Sequence, residues 1–90
     1  MQDIIRVIVV DDSSLMLKII SDVLESSGDI RVIATAKNGV EAIKAARDLN
    51  PDVITLDVEM PVMDGLTCLR ELNRVSDARV IMLSAFTKEG

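Results

Sequence analysis

Asp11, Asp12 and Asp57 each stand where an apolar run stops, the first two after Val7-Ile8-Val9-Val10 and the third after Val53-Ile54-Thr55-Leu56. Each run is too short and too apolar to be anything but a buried strand of a parallel sheet covered on both faces. If two such strands lie side by side and parallel, their carboxyl ends coincide and three carboxylates meet at one sheet edge. That edge is where open α/β folds bind ligands. Packed carboxylates repel one another, and a hard divalent cation held by oxygen ligands is the usual remedy. The cluster reads as a magnesium site with one aspartate left to react.

The chemistry that fits is phosphoryl transfer to a carboxylate, because an aspartate is a competent nucleophile that gives an acyl phosphate. Such a transfer needs in-line positioning and neutralisation of three equatorial oxygens, which magnesium supplies. Asp57, alone at the end of its run, is the expected nucleophile and a further ligand of the metal. Asp12 would hold the metal directly, and Asp11 directly or through a water. The bland alternative is that Asp12 or Ser13 caps the helix that follows. Only one of two adjacent acids can cap, so the other needs a cation or solvent. Ser84 ends another apolar run and either donates to a phosphoryl oxygen or turns the chain. Glu59 is either a further acid or, as we favour, a residue offering its backbone carbonyl to the metal.

These residues need elements to position them, and the chain alternates strand and helix with short joints. Strands are expected at Ile4 to Val10, Ile30 to Thr35, Val53 to Leu56 and Arg79 to Leu83. A first helix runs from about Ser14 to Ser27, with Met16, Ile19, Ile20, Val23 and Leu24 on one face, and Gly28 ends it. Asn38-Gly39 is a turn signal. Ala42, Ile43, Ala46 and Leu49 mark a second helix, stopped by Asn50-Pro51. Pro61 and Asp64-Gly65 shape a loop, and Leu66, Leu69 and Leu72 mark a third helix. This order implies one α/β domain over residues 1–90, a doubly wound, flavodoxin-like parallel sheet of about four strands and three helices.

Composition bounds the function. Ninety residues form one small core, and with 49% apolar but 1% aromatic content that core is aliphatic. A net charge of −5 speaks against nucleic acid or an anionic membrane as a partner. No apolar stretch approaches a membrane span and Met1-Gln2-Asp3 opens no signal peptide, so the cytoplasm is the expected compartment. The lone Cys68 is read as a small buried hydrophobe, and the methionines as fillers of core gaps. With no histidine, the chain has no catalytic triad and no usual zinc ligand set. Gly-rich phosphate loops and the G-x-S-x-G elbow are also lacking.

The segments VIVVDDSSLM, TAKNGVEAI, PDVITLDVEMPVMDG and VIMLSA together resemble the receiver domain of bacterial two-component response regulators. The opening VDDSSLM and the stretch PDVITLDVEMPVMDGL look most like the amino-terminal receiver of the chemotaxis protein-glutamate methylesterases. The resemblance runs from about Arg6 to Gly90. It implies that Asp57 is the phosphoacceptor, that Asp11 and Asp12 are the acidic pair of the metal site, and that residue 59 gives its carbonyl to the metal. Ser84 matches the switch hydroxyl that moves toward the phosphoryl group, and a histidine kinase is the implied donor. Two family features have no counterpart here: a lysine ending a fifth strand, and a switch aromatic on that strand. Lys88 is not that lysine, since it lies in the loop after Ser84. The serine esterase domain has no counterpart either. The expectation is therefore a receiver truncated before its last helix, strand and helix, able to bind magnesium but poor at phosphotransfer.

Two other readings compete. An interaction module would fold by pairing the exposed edge of the fourth strand with a second copy or another chain. A small magnesium phosphohydrolase with an aspartyl intermediate fits worse. The haloacid-dehalogenase pattern places its nucleophile in DxD after the first strand, and Asp11-Asp12-Ser13 does not match.

Overall fold

Strands and helices alternate strictly along this computed structural model, which describes residues 3–58, 63 and 65–83. In chain order they are β1 (Ile5–Val10), α1 (Ser14–Glu25), β2 (Ile30–Ala36), α2 (Gly39–Leu49), β3 (Val53–Asp57), α3 (Gly65–Val75) and β4 (Arg79–Leu83). All neighbouring strands pair in parallel, in the order β2-β1-β3-β4. Parallel neighbours cannot be joined by a tight hairpin, and each helix supplies the crossover. The flavodoxin-like reading holds, with four strands and three helices among the described residues. None of these helices is long and apolar enough to cross a membrane.

Alternation along each strand sorts side chains to the two faces. Ile8, Val10, Ile54 and Leu56 point to the side of α2 and α3, where Ala42, Ala46, Cys68 and Leu72 seal them. Val7 and Val9 point to the other side, under Leu17 of α1. Between β1 and β2 the register slips after Val7, and Ile33 is the extra residue of a bulge. Met63 and Met82 pack against the larger core as gap fillers, and Cys68 is fully buried, both as expected.

The element boundaries carry several corrections. Of the two cap candidates, Asp12 and Ser13, it is Ser13 that caps α1, accepting the Met16 N–H at 3.2 Å. Asn38-Gly39 is not a free turn. The Asn38 side chain accepts the Glu41 N–H at 2.9 Å, the Glu41 carboxylate in turn accepts the Lys37 N–H at 2.8 Å, and Gly39 opens α2. The buried stripe of α1 runs through Leu17, Ile20 and Leu24, whereas Ile19 and Val23 face outward. On α3 it runs through Gly65, Cys68 and Leu72, leaving Leu66 exposed. Gly28 does end the α1 turn, in the left-handed region at φ 86°. Asn50 closes α2 in the same region, at φ 49°. Arg6 holds that end, its guanidinium donating to the carbonyls of Leu49 and Asn50 at 2.9 and 2.8 Å.

Candidate metal centre

β1 and β3 lie side by side with Val10 level with Leu56, so the residues that follow each strand emerge at one edge. The carboxylate oxygens of Asp11, Asp12 and Asp57 lie within 4.8 Å of one another there. Asp11 is pinned from three directions. Its N–H donates to the Ala36 carbonyl at the end of β2, its carboxylate accepts the Ser13 N–H at 2.9 Å, and its side chain is 6% exposed. Because Ser13 caps α1 by itself, neither Asp11 nor Asp12 is committed to the helix terminus. Asp12 stands exposed at the mouth and Asp57 is half-buried at the end of β3. The chain leaves Asp57 through Val58, whose N–H donates to the Leu83 carbonyl at 3.1 Å.

Burial raises the Asp11 carboxyl above the ordinary aspartate value. The Ser13 N–H opposes that rise, and the charges of Asp57 and Asp12, with a hydrogen bond that the protonated Asp11 donates to the Asp12 carboxylate, add to it. A buried carboxylate pressed by two like charges is what a divalent cation relieves. The donor set suits a hard cation, since all three groups offer carboxylate oxygen. Opposite ligands of magnesium stand about 4 Å apart, close to the span of this cluster. The residues present therefore fit such an ion.

The structure thus brings together the three aspartates singled out from the sequence. Ser84 and Glu59 lie outside the described residues, as do Pro61, Asp64 and the segment from Phe86 to Gly90. Ala36 was not foreseen as a support for Asp11. No sequence signal could have revealed it, because the contact depends on how β2 slides along β1.

The chain matches the response regulator receiver domain family over residues 7–90. A protein-glutamate methylesterase/protein-glutamine glutaminase of Bacillus subtilis (strain 168) is 55% identical over 86 residues, which are 96% of this chain and 24% of the relative. This chain thus spans about a quarter of that protein's length. The response regulator domain of Thermotoga maritima CheB superposes with a TM-score of 0.88 at 45% identity, over 97% of this chain and 65% of that one. CheY6 of R. sphaeroides, solved in complex with the P1 domain of CheA3, superposes with a TM-score of 0.81 at 36% identity, over 93% of this chain and 66% of the other. The chain belongs to the response regulator receiver domain family, of the kind found in chemotaxis protein-glutamate methylesterases.

Proposed function

We propose that this chain accepts a phosphoryl group on Asp57 in a magnesium-dependent reaction, as the regulatory receiver of a chemotaxis methylesterase. The observation that carries this reading is the convergence of Asp11, Asp12 and Asp57 within 4.8 Å at the carboxyl edge of the sheet. A carboxylate oxygen of Asp57 attacks phosphorus, and the bond from phosphorus to the donor nitrogen breaks as the new oxygen–phosphorus bond forms. Asp12 and Asp11 hold the metal, with Asp11 fixed by the Ser13 N–H and its own backbone bond to Ala36. The metal, when bound, neutralises charge developing on the transferred oxygens. Ser84 supplies a hydroxyl to the phosphoryl group and residue 59 a carbonyl to the metal. A histidine kinase is the donor, a role supported by the likeness to a receiver solved with the P1 domain of CheA3.

Intact mass after incubation with a small-molecule phosphodonor tests the proposal. The expected result is one phosphoryl adduct in magnesium, absent in chelator and absent in Asp57→Asn. An adduct that persists in Asp57→Asn would overturn the assignment.

A second reading is favoured by a different observation. Among the described residues β4 is an edge strand, and Ile81 and Leu83 on its α1 side are 50% and 37% exposed. An exposed apolar edge is a template for pairing, and self-association through β4 is the reading it supports. Sedimentation velocity showing a monomer across a wide concentration range would remove it.

A further inference from the structure

Two glycines beside the acid pocket are places of close approach. At Gly39, the first residue of α2, an added Cβ would lie 2.8 Å from Met63 Sδ, 2.9 Å from Met63 Cβ and 3.2 Å from Met63 Cγ. At Gly65, the first residue of α3, it would lie 2.8 Å from Val58 Cα and 3.0 Å from Val58 O. Neither glycine has positive φ, so space rather than backbone conformation selects the residue. The thioether of Met63 can swing aside, but its Cβ rides on the backbone. Clearing a methyl at residue 39 therefore requires the backbone to shift, at residue 63 or at the start of α2.

Such a movement has a short route to the site. Met63 precedes the start of α3 by two residues, and the Gly65 N–H donates to Val58 O at 3.3 Å in the same close contact. Val58 follows Asp57 directly. The front of α3 is thus wedged between α2, through Met63 on Gly39, and the exit of β3, through Gly65 on Val58.

We propose that Met63, seated on the bare backbone of Gly39, is a positioning residue for the acid pocket, setting through Gly65 and Val58 where Asp57 stands relative to Asp11 and Asp12. The inference rests on the reading of that pocket as a magnesium site. It touches no ligand directly and acts through the backbone that carries one. Sub-ångström placement matters there, because carboxylates share an ion only at a narrow range of separations.

The test is magnesium binding to the whole chain by titration calorimetry, arranged as a double-mutant cycle. Gly39→Ala is expected to weaken magnesium about tenfold, the lower end of what changes behind the ligands cost a metal site. The same change made in a Met63→Gly background, where all three crowding atoms are gone, is expected to cost less than about twofold. Equal loss in both backgrounds, or no loss with Met63 present, would overturn the inference. Leu24→Ala, at the far end of α1, serves as a change that lowers stability away from the pocket. Its magnesium affinity should stay at the parent value, and a parallel loss there would show that affinity merely follows stability and overturn the inference. Should Gly39→Ala fail to fold, Met63→Ala keeps Gly39 and removes Sδ and Cγ. Weaker binding then supports the contact and unchanged binding overturns it. Absence of magnesium binding by the parent chain would instead defeat the metal reading itself, and the inference with it.

Discussion

On the α2 and α3 side of the sheet, Ile8, Ile54, Leu56, Cys68 and Leu72 are all but lost to solvent. On the α1 side, Val7 and Val9 are equally buried, yet Ile81 and Leu83 of β4 are 50% and 37% exposed. The strands are of one chemical kind, and the difference lies in what covers them. Two helices seal one face across β1, β3 and β4, whereas α1 packs on β1 and β2 and leaves the α1 side of β4 open among the described residues. Among the described residues, the buried hydroxyls of Ser21 and Thr55 lack a hydrogen-bond partner, and both fall on the α1 side. An unmade bond to a buried hydroxyl costs about 1–3 kcal/mol, so this face is the less finished of the two. Stability is therefore concentrated in the face carrying α2 and α3, while the site draws on the edge that both faces share.

That contrast can be broken or sharpened by measurement. The largest effect is expected from Leu72→Ala in the sealed core, about 3–4 kcal/mol lost in urea denaturation, because the cavity is closed on all sides. Leu17→Ala on the α1 side should cost at least about 1 kcal/mol less, since a single helix covers that side and can settle into the space. Equal costs would show the two faces to be energetically alike.

Magnesium should come next. At one hundred times its dissociation constant it is expected to stabilise the chain by about 2.7 kcal/mol, seen as a raised denaturation midpoint that chelator reverses. Asp57→Asn should reduce that gain sharply. Thr55→Val is expected to stabilise by about 1 kcal/mol, because it removes an unpaired hydroxyl from a buried position without changing its shape. A loss of stability would reveal a partner for that hydroxyl.

Asp11 gives the pH dependence of the metal-free chain. Its folded carboxyl titrates above the ordinary value, so the folded state holds the proton longer than the unfolded one. Its contribution is then fully present below the unfolded value of about 3.8 and is lost as pH rises through the raised folded value. Stability curves for the parent and Asp11→Asn, in chelator, should converge at low pH and separate above, with Asp11→Asn the more stable. The smallest effect belongs to the open face itself. Ile81→Thr should change stability by less than about 0.5 kcal/mol, while lowering any self-association seen in sedimentation.

The sequence made the elements legible because their signals are local. Apolar runs of strand length, the Gly28 stop and the Asn50-Pro51 stop all act within a turn or two of the chain. Its errors were errors of facing. α1 is apolar on more than half its circumference, and Ile19 and Val23 satisfy a helical period as well as Leu17 does. Only contact with Val7 and Val9 selects the stripe that is buried. Leu66 fails for the same reason, since Gly65, Cys68 and Leu72 form a smoother surface to lay against the sheet. The Asn38-Gly39 pair, read as a turn, turned out to be a helix cap, as the Glu41 three residues on could have indicated.

By itself the sequence determined the alternation of strands and helices, the aliphatic core and the placement of acids just past strand ends. Each of these follows from side-chain period and chemistry along a short stretch of chain. The tertiary structure decided that β1 lies between β2 and β3, which brings Asp57 from 45 residues further along beside Asp12. It also decided that Ala36 and Ser13 hold Asp11, and that Met63 rests on Gly39. Strand neighbours are chosen by which faces can be buried together, a competition among distant segments that no local pattern records.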